Sequence, residues 1–429
     1  MVENVRTSLF LVPMVGVVLA VATGLTTLAI DRRMRQGVSD LPLGLSSTVD
    51  SARAVLTTIA GATITVAGIA FSVSLLVIQL GSSQYSPRVV HTLFRDPFNK
   101  RVMGLVVGTF TYCLVVLRSV RSAIEEGGTP VIPNLSVSIA VLLGIAAVLA
   151  IVAFINHSAH TMDVSEILER ASREAISQFH SEWPTERSET TNAPDEPSEP
   201  SHDVRFDRTG WIQQLDTDAL LHSVGEGATI YLDAQPGRYA IIGTRLCTVS
   251  PPPQDAEAAE RRIIGAIGMG DTRTMQQDPA YGLRQLVDVA LRALSPGIND
   301  PTTAQDAIFH ATAVLGEALC RYPPPTVRSH SGRRLVLLQH QSHEDLVRLT
   351  FDEIRRAATT QPTVCVYLLE ALELLSSVLE ANGCQDRLPF VAAQARLVWR
   401  GCEAGDLIAD DVELVREAYR KRFGRPAVE

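Results

Sequence analysis

Four long apolar stretches dominate the first third of the chain. They cover residues 8–30, 54–80, 101–118 and 131–155, and none carries a charge in its interior. A bilayer core of about 30 Å requires roughly 20 apolar residues in a helix, so the first, second and fourth stretches are long enough to cross it. The third is shorter, but Arg101 and Arg118 at its ends can reach the interfaces with their long side chains. The pattern therefore predicts a four-helix transmembrane domain over residues 1–160.

The pattern changes after the last apolar stretch. Apolar residues recur at helical spacing over 161–180, which predicts a juxtamembrane helix that continues the fourth span. Residues 181–203 are rich in Pro, Glu, Ser and Thr and are predicted to form a disordered acidic linker. Short apolar runs with glycine corners predict a small α/β or barrel-like unit over 204–250.

Residues 251–429 carry mostly helical periodicity and are predicted to form a mainly helical soluble domain. Within it, the run at 333–340 fits either a lone strand or part of a helix. The fold class that follows is a membrane α-helical protein with four transmembrane helices and a C-terminal soluble α+β domain, which combines a small β unit with a helical bundle.

The charge distribution argues for some classes of partner over others, and the cysteine spacing indicates whether disulfides are present. Residues 1–176 carry 13 basic and 11 acidic side chains, net +2, whereas the remainder carries 25 basic and 36 acidic ones, net −11. The acidic soluble part argues against nucleic acid as a partner. The 6 cysteines show no paired spacing, which favours buried thiols over a disulfide framework. Lysine and arginine counts flanking the spans favour cytoplasmic termini.

The second span carries a stripe of small and polar residues on one helical face. Its members are Thr57, Gly61, Thr65, Gly68, Ser72 and Gln79. Such a face either lets helices pack closely, with hydroxyls bonding across, or lines a water-filled pore in an oligomer. No ionisable group lies inside an apolar run, which argues against proton-coupled pumping and leaves a passive channel open.

The loop that follows this span holds two candidate interfacial residues. Tyr85 can sit at the headgroup level, and Arg88 can meet a lipid phosphate. The loop is interpreted either as an interfacial elbow or as a regulatory lipid contact or pore mouth.

Two Asp-Pro pairs frame a conspicuous stretch of the soluble part, ALSPGINDPTTA. In each pair, Asp278-Pro279 and Asp300-Pro301, the aspartate can cap a helix that the proline begins. A capping carboxylate would repel an anion at the same helix end. The stretch is therefore interpreted as a hinge between helices. The alternative is a polar site or subunit contact that uses Arg273, Asn299, Asp300 and Thr303.

Enzyme signatures are missing from the sequence. It contains no GxSxG, Walker A or HExxH motif and no dinucleotide-type glycine motif after a strand. We therefore expect a protein that is not an enzyme, with no cofactor and no metal site.

The motifs SSQYSPRVV and DTRTMQQDPAYGLRQLVDVALRALSPGINDPTTA occur together in this chain. Taken together, they resemble a family of bacterial predicted integral membrane proteins catalogued as a domain of unknown function. The resemblance implies a multi-pass protein of the bacterial inner (plasma) membrane with a soluble C-terminal region. The resemblance supplies no activity, and the uncharged, hydroxyl-bearing face of the second span instead motivates the hypothesis of a homo-oligomer in the lipid bilayer with a channel or transport-related role. The alternative is a membrane-anchored sensor or scaffold whose soluble domain binds a ligand or partner.

Overall fold

The computed structural model describes residues 11–34, 48–84, 97–121, 132–161, 163–187, 200–339 and 341–424. The chain forms two compact units, Met1–Glu166 and Ile167–Glu429. The first unit contains the helices α1 (Leu11–Met34), α2 (Val49–Gln84), α3 (Pro97–Leu117) and α4 (Asn134–Thr161). All four are long and apolar enough to cross a membrane, which confirms the predicted spans.

The third span is the most enclosed of the four helices. Half of its apolar window is buried inside the unit, against 11% for the first span. Its membrane-length segment runs over 20 residues, Phe98–Leu117, so it is longer than its apolar run indicates. Its first turn contains the polar residues Asn99 and Lys100, and Lys100 is buried.

Glycines bring α1 and α3 into close contact. A Cβ atom added to Gly16 would lie 2.6 Å from the carbonyl oxygen of Gly104. One added to Gly108 would lie 3.2 Å from the carbonyl oxygen of Gly16. Gly104 and Gly108 form a GxxxG pair, a spacing that lets helix backbones approach in a membrane.

A buried carboxylate joins α1 to α4. Asp31 accepts hydrogen bonds from the backbone N–H groups of Leu135 and Ser136, both at 3.0 Å, and from the Ser136 hydroxyl at 2.6 Å. These groups belong to the first turn of α4, whose N–H groups have no partner within the helix. The Tyr112 hydroxyl extends the network by donating to the Ser136 carbonyl oxygen at 3.1 Å. Asp31 follows the predicted span 8–30 directly, and its role was not predicted.

The second unit contains two small β-sheets. The strands are β1 (His202–Arg205), β2 (Gly210–Leu215), β3 (Thr229–Leu232), β4 (Tyr239–Ala240), β5 (Arg245–Ser250), β6 (Ile267–Gly270), β7 (Val327–His330) and β8 (Arg333–Leu337). One sheet has the order β1-β5-β3-β8-β7, and the other has the order β4-β2-β6. Only the β3–β8 pair is parallel among these strands. Two short helices, α6 (Thr217–His222) and α7 (Ala256–Gly265), share the apolar core of the sheets.

The core of the sheets extends beyond residue 250, where the predicted α/β unit ends. Strands β6, β7 and β8 come from the segment that was predicted to be mainly helical. Leu335, in β8, is fully buried in the same core as Ile230 of β3. The run at 333–340 therefore contains a strand rather than helix. Periodicity could not show this, because the pairing of β3 with β8 joins residues that are distant in sequence.

Helices make up the rest of the second unit. They are α5 (Val164–Glu182), α8 (Ala280–Ala293), α9 (Pro301–Leu319), α10 (His343–Ala357), α11 (Pro362–Ala381), α12 (Leu388–Glu403) and α13 (Ala409–Phe423), with a single 3₁₀ turn at Gln385–Arg387. Their apolar stripes are buried as the spacing predicts, for example Leu283, Val287 and Ala290 on α8.

Ordered elements lie on both sides of the segment predicted as a linker. The predicted juxtamembrane helix does not continue the fourth span: α4 ends at Thr161 and α5 begins at Val164, and the Asp163 carboxylate accepts the Ser165 N–H at 3.0 Å. The predicted linker at 181–203 is ordered at both ends, with Trp183 buried and β1 beginning at His202. Burial of the large Trp183 indole stabilises the N-terminal end of this segment. Residues 188–199 lie outside the described part.

Candidate functional site

The polar stripe of α2 lies on the outside of the first unit. All six of its residues are exposed: Thr57, Gly61, Thr65, Gly68, Ser72 and Gln79. The opposite face of the helix is the one that packs inside the unit, through buried residues such as Leu56 and Ala60. The predicted packing role is therefore not realised within the described part of one chain, where Gly16, Gly104 and Gly108 supply the close approach.

We call these six residues of α2 the polar strip, and the strip lies open on the helix surface. A Cβ atom added to Gly61 or Gly68 would meet nothing within 4 Å. The Thr65 hydroxyl donates to the Gly61 carbonyl oxygen at 2.8 Å, and the Ser72 hydroxyl donates to that of Gly68 at 2.9 Å. Each hydroxyl oxygen keeps lone pairs that can accept a further hydrogen bond. The strip therefore offers both close approach and polar oxygens to a neighbour. The interfacial candidates Tyr85 and Arg88 lie outside the described residues.

A second candidate site lies in the loop between β6 and α8. Arg273 donates through Nε to the Asp278 carboxylate at 2.7 Å, and Asp278 is only 5% exposed. The guanidinium carbon of Arg273 lies 5.0 Å from the centre of the Tyr281 ring and 5.9 Å from that of Trp211. Burial raises the pKa of Asp278, and the Arg273 partner opposes that rise.

The loop before β4 closes over this ion pair. Gly237 has a φ of +82°, and a Cβ atom there would lie 2.0 Å from the Asp278 carboxylate oxygen Oδ2. The motif PGRYAIIG therefore packs directly against the motif DTRTMQQDP. Because backbone occupies the space beside the carboxylate, the geometry favours a structural ion pair that joins two segments.

Gln277, which was not singled out from the sequence, strengthens the same junction. It adopts a φ of +55°, and its side-chain amide pairs with the backbone of Leu215. Its Oε1 accepts the Leu215 N–H at 2.8 Å, and its Nε2 donates to the Leu215 carbonyl oxygen at 3.2 Å. The short strand β4 pairs only with the start of β2, and the Gln277 amide pairs with the end of β2 at Leu215. This contact joins residues far apart in sequence, so no local pattern predicts it.

The ALSPGINDPTTA stretch forms a tight corner. The N–H groups of Ile298 and Asn299 donate to the Ser295 carbonyl oxygen at 3.0 and 2.9 Å. Asn299 has a φ of +50°, a conformation that asparagine tolerates better than most residues. Asp300 caps α9 by accepting the N–H of Thr303 at 3.1 Å and its hydroxyl at 2.6 Å. The Thr303 hydroxyl, followed by its backbone N–H, lowers the pKa of Asp300.

The structure separates the residues of the alternative polar site. Arg273 and Asp278 precede α8, whereas Asn299, Asp300 and Thr303 follow it. A helix of 14 residues is about 21 Å long, so the two groups lie at opposite ends of α8. Within one chain, the intact helix therefore keeps Arg273 apart from Asn299 and Thr303.

Cysteine thiols and clusters of metal-ligating side chains are the remaining candidates for a functional site. All six cysteines are free and five are buried, in agreement with the sequence analysis. The sulfur atoms of Cys365 and Cys402 lie 3.1 Å apart. Within the described ranges, no group of three His, Cys, Asp or Glu side chains is placed to hold a metal ion.

Four membrane-length helices followed by a region of two sheets and packed helices define a multi-pass membrane protein with a large C-terminal α+β region. The chain belongs to DUF2254, a family of predicted membrane proteins, which matches residues 6–374. Uncharacterised proteins of Mycobacterium bovis and Mycobacterium tuberculosis are 28% identical to it over 403 residues, covering 92% of this chain and 76% of each relative. No solved structure matches significantly. Neither the family description nor these relatives' names indicate an enzyme.

Proposed function

We propose that the protein is a homo-oligomer of the bacterial inner membrane whose subunits meet along the polar strip of α2. The assembly would serve a passive channel or transport-related role. The proposal rests on one observation. The strip is exposed along its full length, while the opposite face of α2 is buried inside the unit. The same proposal includes cytoplasmic termini and no nucleic-acid partner. Both of these expectations rest on the charge distribution alone.

Physical chemistry favours a neighbour at this strip. Small residues at intervals of four let helix backbones approach in lipid, where packing and interhelical hydrogen bonds drive association. Thr57, Gly61 and Thr65 have this spacing, as do Gly68 and Ser72. In a ring of subunits, the strip oxygens that a neighbouring helix leaves uncovered would face the axis and replace part of the hydration of a solute.

Asp31 supports a passive role over a proton-coupled one. Proton relays need an ionisable group that can exchange protons along a path. The Asp31 carboxylate is instead occupied by three hydrogen bonds from the first turn of α4. Its geometry is that of a helix cap.

Cysteine cross-linking in native membranes tests the association. Thr65→Cys places a thiol on the strip, and Ala67→Cys places a matched thiol on the buried face of α2. The expected result is a cross-linked dimer band with Thr65→Cys and none with Ala67→Cys. Equal yields from the two variants, or no product from either, would contradict the proposed seam.

Solute flux tests the transport role separately. Full-length protein reconstituted in vesicles should pass small ions or uncharged solutes, and Gly61→Leu should lower the flux by blocking close approach. Cross-linking without flux under voltage or a concentration gradient would retain the oligomer and refute the channel.

The alternative role is a membrane-anchored sensor or scaffold. It has less support, because the space beside Asp278 is filled by the Gly237 loop and the remaining polar candidates lie at the far end of α8. A metabolite screen by thermal shift on the full-length protein would favour this role if a ligand raised the melting temperature and Asn299→Ala abolished the effect.

A further inference from the structure

An apolar turn projects from the second unit between β4 and β5. Tyr239, Ile241 and Ile242 are 55%, 55% and 60% exposed, and we call these three residues the apolar tip. Large aliphatic side chains are usually buried, and two adjacent isoleucines at a turn leave apolar surface in water. The tip belongs to the PGRYAIIG motif, whose first part covers the Asp278 carboxylate.

Four polar backbone groups of the turn at the tip are bonded inside the protein. Ile242 and Gly243 donate their N–H groups to the Thr209 hydroxyl at 3.1 Å and the Phe206 carbonyl oxygen at 2.8 Å. The carbonyl oxygens of Ile241 and Gly243 accept bonds from Thr244 and Arg205. A segment that enters lipid must satisfy its backbone groups internally, because no water is available there. These four groups already meet that condition.

The surroundings of the tip are basic, although its part of the chain is acidic. Four exposed arginines lie beside the tip, on the adjoining strands and turns: Arg205, Arg208, Arg238 and Arg245. The acidic residues in the same segments are Asp203, Asp207 and Asp233, of which Asp207 pairs with Arg208 and Asp233 with Arg245. Counting these seven side chains gives net +1, whereas residues 177–429 as a whole carry net −11.

We propose that the apolar tip docks on the surface of an anionic lipid bilayer, with Ile241 and Ile242 at the level of the headgroups and the arginines on lipid phosphates. Apolar side chains beside arginines are the combination that binds such interfaces. The chain is already anchored in a bilayer by its four spans, so this partner is present at high local concentration.

A bilayer suits the tip better than a second copy of the chain. A stable protein interface buries about 800 Å² on each partner. The tip consists of three side chains, so it offers much less area than this. Pairing of two tips would also leave the arginines of two copies facing each other. The inference does not depend on the oligomer proposed above, since it requires only the membrane anchor.

Fluorescence quenching in the full-length protein tests the docking. The protein is placed in nanodiscs of phosphatidylcholine with or without phosphatidylglycerol, using lipids brominated on the acyl chains. Ile242→Trp puts an indole on the tip, and Ile408→Trp puts one at another exposed isoleucine, which is 67% exposed. The wild-type signal from the native tryptophans is subtracted from both.

The expected result is that the Ile242→Trp indole emits at shorter wavelength and is quenched at least twofold more than the Ile408→Trp indole in anionic discs. Adding Arg238→Gln, or raising the salt concentration, should reduce that quenching. Equal quenching at the two positions would overturn the proposal. A blue shift of the Ile242→Trp emission without lipid quenching would also overturn it, by identifying a protein partner at the tip.

Discussion

Gly237 offers the sharpest test of the packing between the two motif segments of the second unit. The change Gly237→Ala adds one methyl group at a residue whose φ is +82°. That methyl would lie 2.0 Å from the Asp278 carboxylate oxygen, far inside van der Waals contact. Asp278 is buried and paired with Arg273, so its carboxylate cannot move aside without disturbing that pair.

Two energetic terms add at this position. The left-handed conformation costs an alanine about 1–2 kcal/mol relative to a conformation with negative φ. Overpacking against a buried group costs about 1–3 kcal/mol more. Gly227→Ala is the matched control, because Gly227 has a φ of +80° and a Cβ atom there would meet nothing within 4 Å. The control should therefore show the first term alone.

Thermal unfolding of the full-length protein in detergent, followed by circular dichroism, measures the difference. For a unit of this size about 1 kcal/mol corresponds to a shift of about 2–4 °C. Gly237→Ala should lower the melting temperature by at least about 2 °C more than Gly227→Ala. Equal shifts would refute the close packing of the Gly237 loop on Asp278, since only the backbone term would then operate.

Three further predictions concern the helices. Gly16→Val should destabilise the first unit by about 1–3 kcal/mol through overpacking, whereas Gly61→Val should leave unfolding of the monomer nearly unchanged. Unfolding in detergent measures both variants, and the reverse order of stabilities would contradict the assigned faces. Asp31→Ala should cost about 1.5–3 kcal/mol by removing charge-assisted bonds to α4, with Asp31→Asn losing less; identical unfolding free energies for the two variants would refute the cap. Asp300→Ala should cost about 1 kcal/mol at neutral pH. Because the folded pKa of Asp300 is lowered, its stabilisation is present above the ordinary value of about 3.9 and is lost as pH falls through the folded pKa. The wild type and Asp300→Ala should therefore converge in stability in acid, and a constant difference down to acid pH would count against the pKa shift.

Much of the architecture is readable from local sequence. Length and apolarity alone identify the four spans, since a bilayer sets a minimum length for any helix that crosses it. The Asp300-Pro301 pair identifies the start of α9, because both the cap and the proline act within one turn. Period 3.6 identifies the long helices of the second unit for the same local reason.

The exposure of α2 required the tertiary structure. Both faces of this helix are rich in small residues, and sequence could not tell which face the other spans cover. The Ala60 face is buried and the Gly61 face is open, although the two residues are adjacent. Helical geometry sends neighbouring side chains about 100° apart around the axis, so packing alone decides between them.

Sequence by itself determined the number of spans, the helical character of the C-terminal region and the corner at 295–300, because each depends on contacts within a few residues. Tertiary structure decided the parallel pairing of β3 with β8, the capping of α4 by Asp31 and the closure of the Gly237 loop on Asp278. Each of these joins groups that are tens of residues or more apart in the chain. Their energies come from burial and hydrogen bonding that exist only once the chain has folded.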